Sequence, residues 1–580
     1  MIRMKTKYYS LLLEMIIIIC IGINVLYTHS IVMQINILYI LYPFDHISFL
    51  LVEILIFYLV SYLFRKWRWN IFLLLYYFQT IALWINVGYS RYFNTYLPLT
   101  LYGEFNNLNG LLPNIIDAID YHDILYIITS FIVTYLCSIL KRKQKQIKSF
   151  LIPLVGLLTI IVSSIPYYSS AINERNRLRE HFIKLNDNRS TWDVIRYRIQ
   201  ILRESDIRAC SFYYGIGLNL LYEIYDKYLS KATVEYSEQE VQMIKAHMNA
   251  QSYNFTSDSP MNMIILIIES LSSYPINKSF NGFEITPTIN HLLSEAYFNP
   301  NMKNETRLGE SSDGQYIYLT GLLPLKNTIT INEIHSDTIT SIISLEKTNR
   351  ERLYTQMIIP TSADTWSQRI MCQKYGIEHL FSKEQYDKEK DEWLNDKELF
   401  EFAASKNHLL RPPFISIVLT SSMHSPYNKS IENYKANYPH NFSEEFKHYL
   451  DNVHYMDKQL GKYIQSLKEQ KLYEESTIII VADHQPNQPK LNYQGEEDCT
   501  LLPFIIINPP HKYKGVTDTK LIDQSSIFPT ILDLLHIESD WRGVGQSIFM
   551  PDSLRFSPYE RNRQNMKQTI SNYILFNRYL

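Results

Sequence analysis

The stretch Asn262-Met-Ile-Ile-Leu-Ile-Ile-Glu-Ser270 decides how the larger part of this chain is read. An unbroken apolar run, Met263–Ile268, gives way at once to a carboxylate and a hydroxyl. Alternating apolarity would mark a strand with one face in water. Continuous apolarity marks a strand buried on both faces, as in a parallel sheet covered by helices. Comparable runs recur at Tyr354–Ile359, Phe414–Leu419, Thr477–Val481 and Phe504–Ile507, with helical stretches between them. The pattern predicts an α/β sandwich with a mainly parallel sheet over residues 261–550.

Open α/β sheets place their ligands at the carboxyl ends of the strands, so the residues following each run carry the functional signal. Glu269-Ser270 follows the first run and Ala482-Asp483-His484 follows Thr477–Val481. Phe414–Leu419 leads into Thr420-Ser-Ser-Met-His424, and Tyr354–Ile359 into a loop with Asp364, Trp366 and Arg369. A lone Glu after a strand is commonly a helix cap, and a lone Asp-His a turn; together they point to one site. Two carboxylates and one imidazole form an oxygen-rich ligand set that suits manganese, zinc or magnesium and argues against copper or iron–sulfur. A nucleophile candidate lies in Arg307-Leu-Gly-Glu-Ser311-Ser-Asp313-Gly-Gln315. Taken alone, Ser-Ser-Asp-Gly is also a common turn.

Upstream the chain changes character. Apolar runs at Tyr9–Tyr27, Ile47–Phe64, Ile71–Val87, Ile124–Leu140 and Phe150–Tyr167 each match the roughly 17–25 residues that cross a bilayer core. They predict a five-helix transmembrane domain over 1–170, with the weaker stretch Ile31–Tyr42 interfacial or re-entrant. With the N-terminus inside, every Lys and Arg before residue 171 except Arg91 is cytoplasmic, which satisfies the positive-inside rule. Everything after Tyr167 then lies outside the cell membrane. Glu14 and Glu53 fall within spans; each reads either as a functional group or as a paired carboxylate facing the bundle. Residues 171–260 read as a helical linker, with Ser237 capping a helix that has Glu240 at its third position. Residues 551–580 read as a C-terminal tail.

Composition closes off other classes. The 580 residues are 46% hydrophobic and 20% charged, which excludes a disordered chain. The net charge of −2 offers no basic field for nucleic acid. That near-neutral sum hides a net +5 before residue 171 and a net −7 after it. Five cysteines, two within spans, allow at most one disulfide among Cys210, Cys372 and Cys499.

From Asn262 to about Met550 the chain resembles the sulfatase and alkaline phosphatase superfamily. The likeness runs through Asn262–Ser270, Thr286-Pro-Thr-Ile-Asn-His-Leu292, Val481-Ala-Asp-His484, Pro503-Phe-Ile-Ile-Ile507, Gln524–Leu535 and Gly543-Val-Gly-Gln-Ser547. Within it, five spans and the loop Val87-Gly-Tyr-Ser-Arg91-Tyr-Phe-Asn-Thr-Tyr96 resemble the lipoteichoic acid synthase family of membrane phosphoglycerol transferases. The resemblance implies that Glu269, Ser311, Asp483 and His484 bind one divalent metal, manganese first, with zinc or magnesium as alternatives. It implies that Ser311 is the nucleophile, in Gly309-Glu-Ser-Ser-Asp313, where the family has Gly-x-Thr-Ser-Asp. Glu310 stands where a basic residue is usual. His424 and Trp366 match substrate-side residues. The arginine that follows this tryptophan by two places is Gln368 here, with Arg369 next as the candidate substitute.

These residues lead to an expected membrane-anchored enzyme. It would take a phosphoglycerol-type group from a lipid donor such as phosphatidylglycerol, through a Ser311 intermediate, to a glycan or lipid acceptor. Sulfatase-like hydrolysis of phosphate or sulfate esters, phosphoethanolamine transfer, and a non-catalytic polymer-binding role are the alternatives. The formylglycine route is disfavoured, because Asp313 and Gln315 stand where it needs Pro and Arg.

Overall fold

The computed structural model describes residues 2–33, 44–64, 66–93, 119–142, 255–551 and 561–578, with short gaps near 308, 326–328, 335, 350–351, 388–392, 426, 435 and 487–498, plus isolated positions 97 and 242. The chain divides into two compact units, one holding the N-terminal helices and the other residues 232–580 with 100–113.

The N-terminal unit contains helices Ile2–Met33, Phe44–Leu63, Arg68–Phe93 and Ile124–Arg142. Among the described residues three segments are long and apolar enough to cross a membrane: Leu12–Val32, Arg68–Arg91 and Tyr121–Arg142. Three of the five expected spans are thus clear candidates among the described residues. The helix Phe44–Leu63 falls on the second expected run, and the fifth, Phe150–Tyr167, lies outside the described residues. So do 34–42 of the weak stretch, whose first residues belong to the first helix, and nearly all of the 171–260 linker with its Ser237 cap.

Ile17, Ile21, Phe57, Phe72, Tyr76 and Val133 form the core between these helices. Several of the polar groups inside it are paired. Glu53 is fully buried and accepts a 2.6 Å hydrogen bond from Gln79 Nε2, so it fits the reading of a paired carboxylate. Asn24 donates to Tyr76 and accepts from Thr129. Arg91, the exception to the charge count, forms a bidentate pair with Asp123 (2.8 and 2.6 Å). The pairing neutralises the charge of this residue, which remains the exception to the positive-inside count.

The second unit is built on an eight-stranded sheet. In chain order its strands are β1 (Asn262–Ile268), β4 (Tyr297–Lys303), β5 (Tyr354–Ile358), β6 (His379–Phe381), β7 (Phe414–Leu419), β8 (Ser476–Ala482), β9 (Leu501–Ile507) and β10 (Ile522–Asp523). The strands β2 (Ser279–Phe280) and β3 (Phe283–Glu284) form a separate hairpin. The spatial order is β10-β4-β9-β8-β1-β7-β5-β6. All five expected runs are strands, and β1, β7 and β8 are buried along their whole length. The sheet is mixed rather than simply parallel, because β9 pairs antiparallel with both β8 and β4. Apolar runs do not reveal direction, since a strand buried on both faces looks the same either way. β4 is also absent from the expected strands. Its sequence, with Asn299-Pro300-Asn301, reads as a turn, and a register shift between Asn299 and Met302 accommodates it.

Amphipathic helices cover the sheet. The longest, Glu444–Glu469, starts where the Ser443 hydroxyl accepts a hydrogen bond from Phe446 N, and buries Phe446, Leu450, Val453, Leu460 and Leu467. Asp396–Lys406 begins with a capping box between Asn395 and Glu398. Each fully buried Leu, Ile or Phe contributes about 1.5–3 kcal/mol relative to exposure. Residues 561–578 of the C-terminal segment form a helix that buries Ile570, Ile574 and Leu575 in the same core. Cys372 is a buried free thiol, Cys499 is buried, and Cys210 lies outside the described residues.

Candidate functional site

The ends of β1 and β8 lie side by side, because Ile268 pairs with Ala482 in a parallel register. The next residues of each strand therefore emerge together, which brings Glu269 beside Asp483 and His484. One ligand atom from each of the three lies within 4.8 Å of the others, and all three side chains are buried. The backbone then locks the corner. Ser270 sits at φ 51°, and its N–H donates to Asp483 Oδ1 at 2.8 Å, as does the N–H of His484. Glu269 receives the Ser270 hydroxyl on Oε1 at 2.7 Å. From the next strand, Thr420 Oγ1 accepts from Glu269 N at 2.9 Å.

Ser311 reaches this corner from elsewhere. It is the first residue of the helix Ser311–Thr320, so it sits at the positive end of that helix dipole. Its Oγ lies 3.4 Å from Glu269 Oε2. Two glycines permit the approach. A Cβ on Gly314 would collide with the Asp483 carbonyl, and one on Gly309 with the Asp313 carboxylate. Asp313 Oδ2 in turn holds the turn by accepting from Arg307 N and Gly309 N, at 2.9 and 3.0 Å. Burial pushes the Asp313 carboxyl up to about 7. Glu310 adopts φ 44°, ψ −113°, a conformation costly for a residue with a side chain.

The electrostatics follow from packing three carboxylates around one imidazole. Burial works most strongly on Glu269 and opposes ionisation, but the charge and hydrogen bond of His484, then His424 and Ser270, hold its pKa low. Burial and then the Glu269 charge push Asp483 upward. His484 is raised well above its usual range, because Asp483, Glu310 and Glu269 outweigh its own burial. Among the described residues no hydrogen bond reaches the buried Asp483 Oδ2, and His484 Nε2 is 3.6 Å from it. A buried, undonated carboxylate oxygen facing a second carboxylate and an imidazole nitrogen is what a divalent cation would satisfy. The residues present fit a metal of the manganese, zinc or magnesium kind.

The other expected site residues are placed less closely. His424 hydrogen-bonds Ser425 O through Nδ1 at 2.6 Å and packs edge-on against Trp393 at 5.2 Å. Its charge is one of the influences that favour ionised Glu269, whereas burial, the largest influence on Glu310, pushes that carboxyl up. Trp366 is partly buried against the core with φ 50°. Arg369 is exposed, and its Nε pairs with Asp364 Oδ1 at 2.9 Å, so the structure shows it engaged there. Sequence reasoning missed Asp396, which is buried and accepts from Ser421 N and Ser422 N at 3.0 Å each. It thereby pins the loop that carries His424. It also missed Gln524, whose amide bridges the Asp483 carbonyl (2.7 Å) and the Tyr318 hydroxyl (2.9 Å). Asp396 opens a helix instead of following a strand, and Gln524 follows a strand of only two residues, Ile522–Asp523, too short to show as an apolar run, so the strand-end rule gave no signal for them.

Comparison with known proteins gives two adjoining family matches. Residues 1–185 match the lipoteichoic acid synthase N-terminal domain, and residues 261–537 match the sulfatase family. The lipoteichoic acid synthase of Staphylococcus saprophyticus is 23% identical over 479 residues, which is 79% of this chain and 71% of that protein. The lipoteichoic acid synthase-like YvgJ of Bacillus subtilis is 27% identical over 302 residues, 48% of each chain. The crystal structure of lipoteichoic acid synthase LtaP from Listeria monocytogenes aligns with a TM-score of 0.45 at 20% identity, covering 54% of this chain and 81% of that one. Apolar N-terminal helices followed by a sulfatase-type α/β unit, matched in that order by both families, liken this chain to the lipoteichoic acid synthase-like enzymes of the sulfatase superfamily.

Proposed function

We propose that the protein transfers a phosphoglycerol-type group from a membrane lipid such as phosphatidylglycerol to a glycan or lipid acceptor, through a covalent Ser311 intermediate. The observation that carries this reading is Ser311 Oγ at the start of a helix, 3.4 Å from Glu269 Oε2 and beside the Glu269–Asp483–His484 cluster. The names of the relatives, lipoteichoic acid synthases, support the substrate class.

In this reading Glu269, Ser311, Asp483 and His484 hold the divalent ion. When bound, it supplies Lewis acidity and charge neutralisation at the oxygens of the reacting group. Ser311 gives its proton to solvent water and attacks phosphorus in line; the Oγ–P bond forms as the P–O bond to diacylglycerol breaks. His424 protonates the departing diacylglycerol oxygen. In the second step an acceptor hydroxyl gives its proton to His424 and attacks phosphorus, the Ser311 Oγ–P bond breaks, and Ser311 Oγ takes a proton back from water. Trp366 and Arg369 are the head-group contacts of this proposal. Five spans with the N-terminus inside would put the α/β unit outside the cytoplasmic membrane, beside the outer-leaflet donor.

The test uses the full chain in detergent micelles or vesicles with a divalent ion. Phosphatidylglycerol, phosphatidylethanolamine and an aryl sulfate are offered in separate reactions. Release of diacylglycerol from phosphatidylglycerol, and its loss in Ser311→Ala, is the expected result. Turnover of the aryl sulfate or phosphatidylethanolamine alone would replace this donor with the corresponding one. Full activity of Ser311→Ala would remove the covalent step.

A further inference from the structure

The turn before Ser311 carries a carboxylate that the proposed mechanism does not use. Glu310 Oε2 lies 3.1 Å from His484 Nδ1, and its side chain is 28% exposed against 6% for His484. The same Nδ1 lies 2.8 Å from the Gln485 carbonyl oxygen. A carbonyl oxygen only accepts, so Nδ1 is the nitrogen that carries hydrogen. Nε2 then faces the cluster, 3.3 Å from Glu269 Oε1 and 3.6 Å from Asp483 Oδ2. Glu310 stands outside the group whose ligand atoms converge within 4.8 Å. It touches the side of the ring that points away from that group.

From this geometry we infer that Glu310 is a positioning residue for His484: its carboxylate holds Nδ1–H, so that the ring is fixed in the tautomer and orientation that aim the Nε2 lone pair at the divalent cation. The inference rests on the metal reading above. Carboxylate–histidine–metal relays of this kind fix ligand geometry and raise ligand basicity. The Gln485 carbonyl cannot do this alone. It belongs to the residue after His484 and moves with it, whereas Glu310 arrives from a turn 174 residues earlier in the chain. The backbone gives a second, independent sign. Glu310 occupies φ 44°, ψ −113°, where glycine would be relaxed and a side chain is strained. The turn is held there by Gly314 N donating to Glu310 O at 3.0 Å and by Asp313 accepting from Gly309 N. The side chain on this strained residue reaches the outer nitrogen of the imidazole. The contact also couples the nucleophile to the ligand, because Glu310 and Ser311 share a peptide bond: a shift of the turn moves both the attacking oxygen and the ring.

The test is calorimetric titration of manganese(II) alone into the full-length protein in detergent, for the natural chain, Glu310→Ala and Glu310→Gln. Glu310→Ala is expected to weaken manganese binding by about 10–100-fold. Glu310→Gln keeps an amide oxygen that accepts from Nδ1, so it is expected to retain affinity within a few-fold of the natural chain. Melting of the metal-free proteins, followed by tryptophan fluorescence, is expected to be unchanged in both variants. Natural affinity in Glu310→Ala overturns the inference. So does an equal loss in both variants, because that makes Glu310 an anionic ligand rather than a holder of the ring. If the natural chain binds no divalent cation, the metal reading itself fails, an outcome distinct from either of these.

Discussion

Two pairs of carboxylates are buried in the α/β unit, and they are neutralised in opposite ways. Glu305 and Asp523 lie around Lys567, which is fully buried, donates to Glu305 Oε1 and Ser525 Oγ at 2.9 and 3.0 Å, and also contacts Asp523. Burial is the largest influence on Glu305 and opposes its ionisation, yet Lys567 overrides it and holds the pKa low. Among the described residues Glu269 and Asp483 are met by no lysine or arginine. An imidazole stands between them, and Asp483 Oδ2 is left undonated. The first pair is closed by the protein and serves stability. The second is left open at a cost to stability, and that is the mark of a site that takes its positive charge from outside.

The comparison breaks most sharply if removal of a carboxylate acts alike in both places. Asp483→Asn is expected to lower transfer activity by about 10³-fold or more, since several kcal/mol of transition-state stabilisation go with a lost ligand. The metal-free variant should nevertheless melt no lower than the natural chain, because Asn retains an acceptor for Ser270 N and His484 N while removing a buried charge. A lower melting temperature would mean that the pair is structural. Lys567→Met is expected to do the reverse. Leaving Glu305 and Asp523 buried without their cation should cost about 3–5 kcal/mol, seen in chemical denaturation of the full chain, with manganese affinity little changed. A small effect would deny the closed pair its role and detach the C-terminal helix from the argument.

Cation removal comes next. Chelation is expected to lower stability by about 2.7–4.1 kcal/mol relative to protein holding manganese at 100–1,000 times its dissociation constant. Glu269→Gln should abolish that difference and Lys567→Met should keep it. Denaturation with and without chelator checks both.

The smallest expected effect concerns a third kind of buried carboxylate. Asp457 is met by two backbone donors, Thr288 N and Ile289 N, each at 2.8 Å. Burial is the largest influence and pushes its carboxyl up to about 6. The folded state therefore binds more protons than the unfolded one between about pH 4 and 6, and this residue's contribution to stability falls as pH rises through that window. Asp457→Asn should flatten that slope without touching activity; an unchanged slope would show that two N–H donors compensate the charge fully.

Several of these features were legible before any coordinates. Met263–Ile268 and Thr477–Val481 announce themselves as buried strands, since side chains that face no water need no polar alternation. Glu269, Asp483 and His484 follow from asking what comes after such strands. Ser311 did not stand out from common turns by itself; its place depended on family resemblance and then on the approach that Gly314 permits. Lys567 was invisible, because its partners lie 262 and 44 residues away. A lysine in a polar helix looks solvated until the helix is docked.

What the sequence alone determined is the division into an apolar, basic anchor and an acidic α/β unit, and the identity of the residues at the strand ends. Both are properties of local pattern: run length measures a bilayer, and unbroken apolarity measures burial. Only the tertiary structure decided that β9 runs against its neighbours, that Arg91 is answered by Asp123, that Lys567 closes one carboxylate pair, and that Glu310 meets His484. Each of these joins residues distant in the chain. Which charge meets which is set by how helices and strands pack, and no local pattern carries that information.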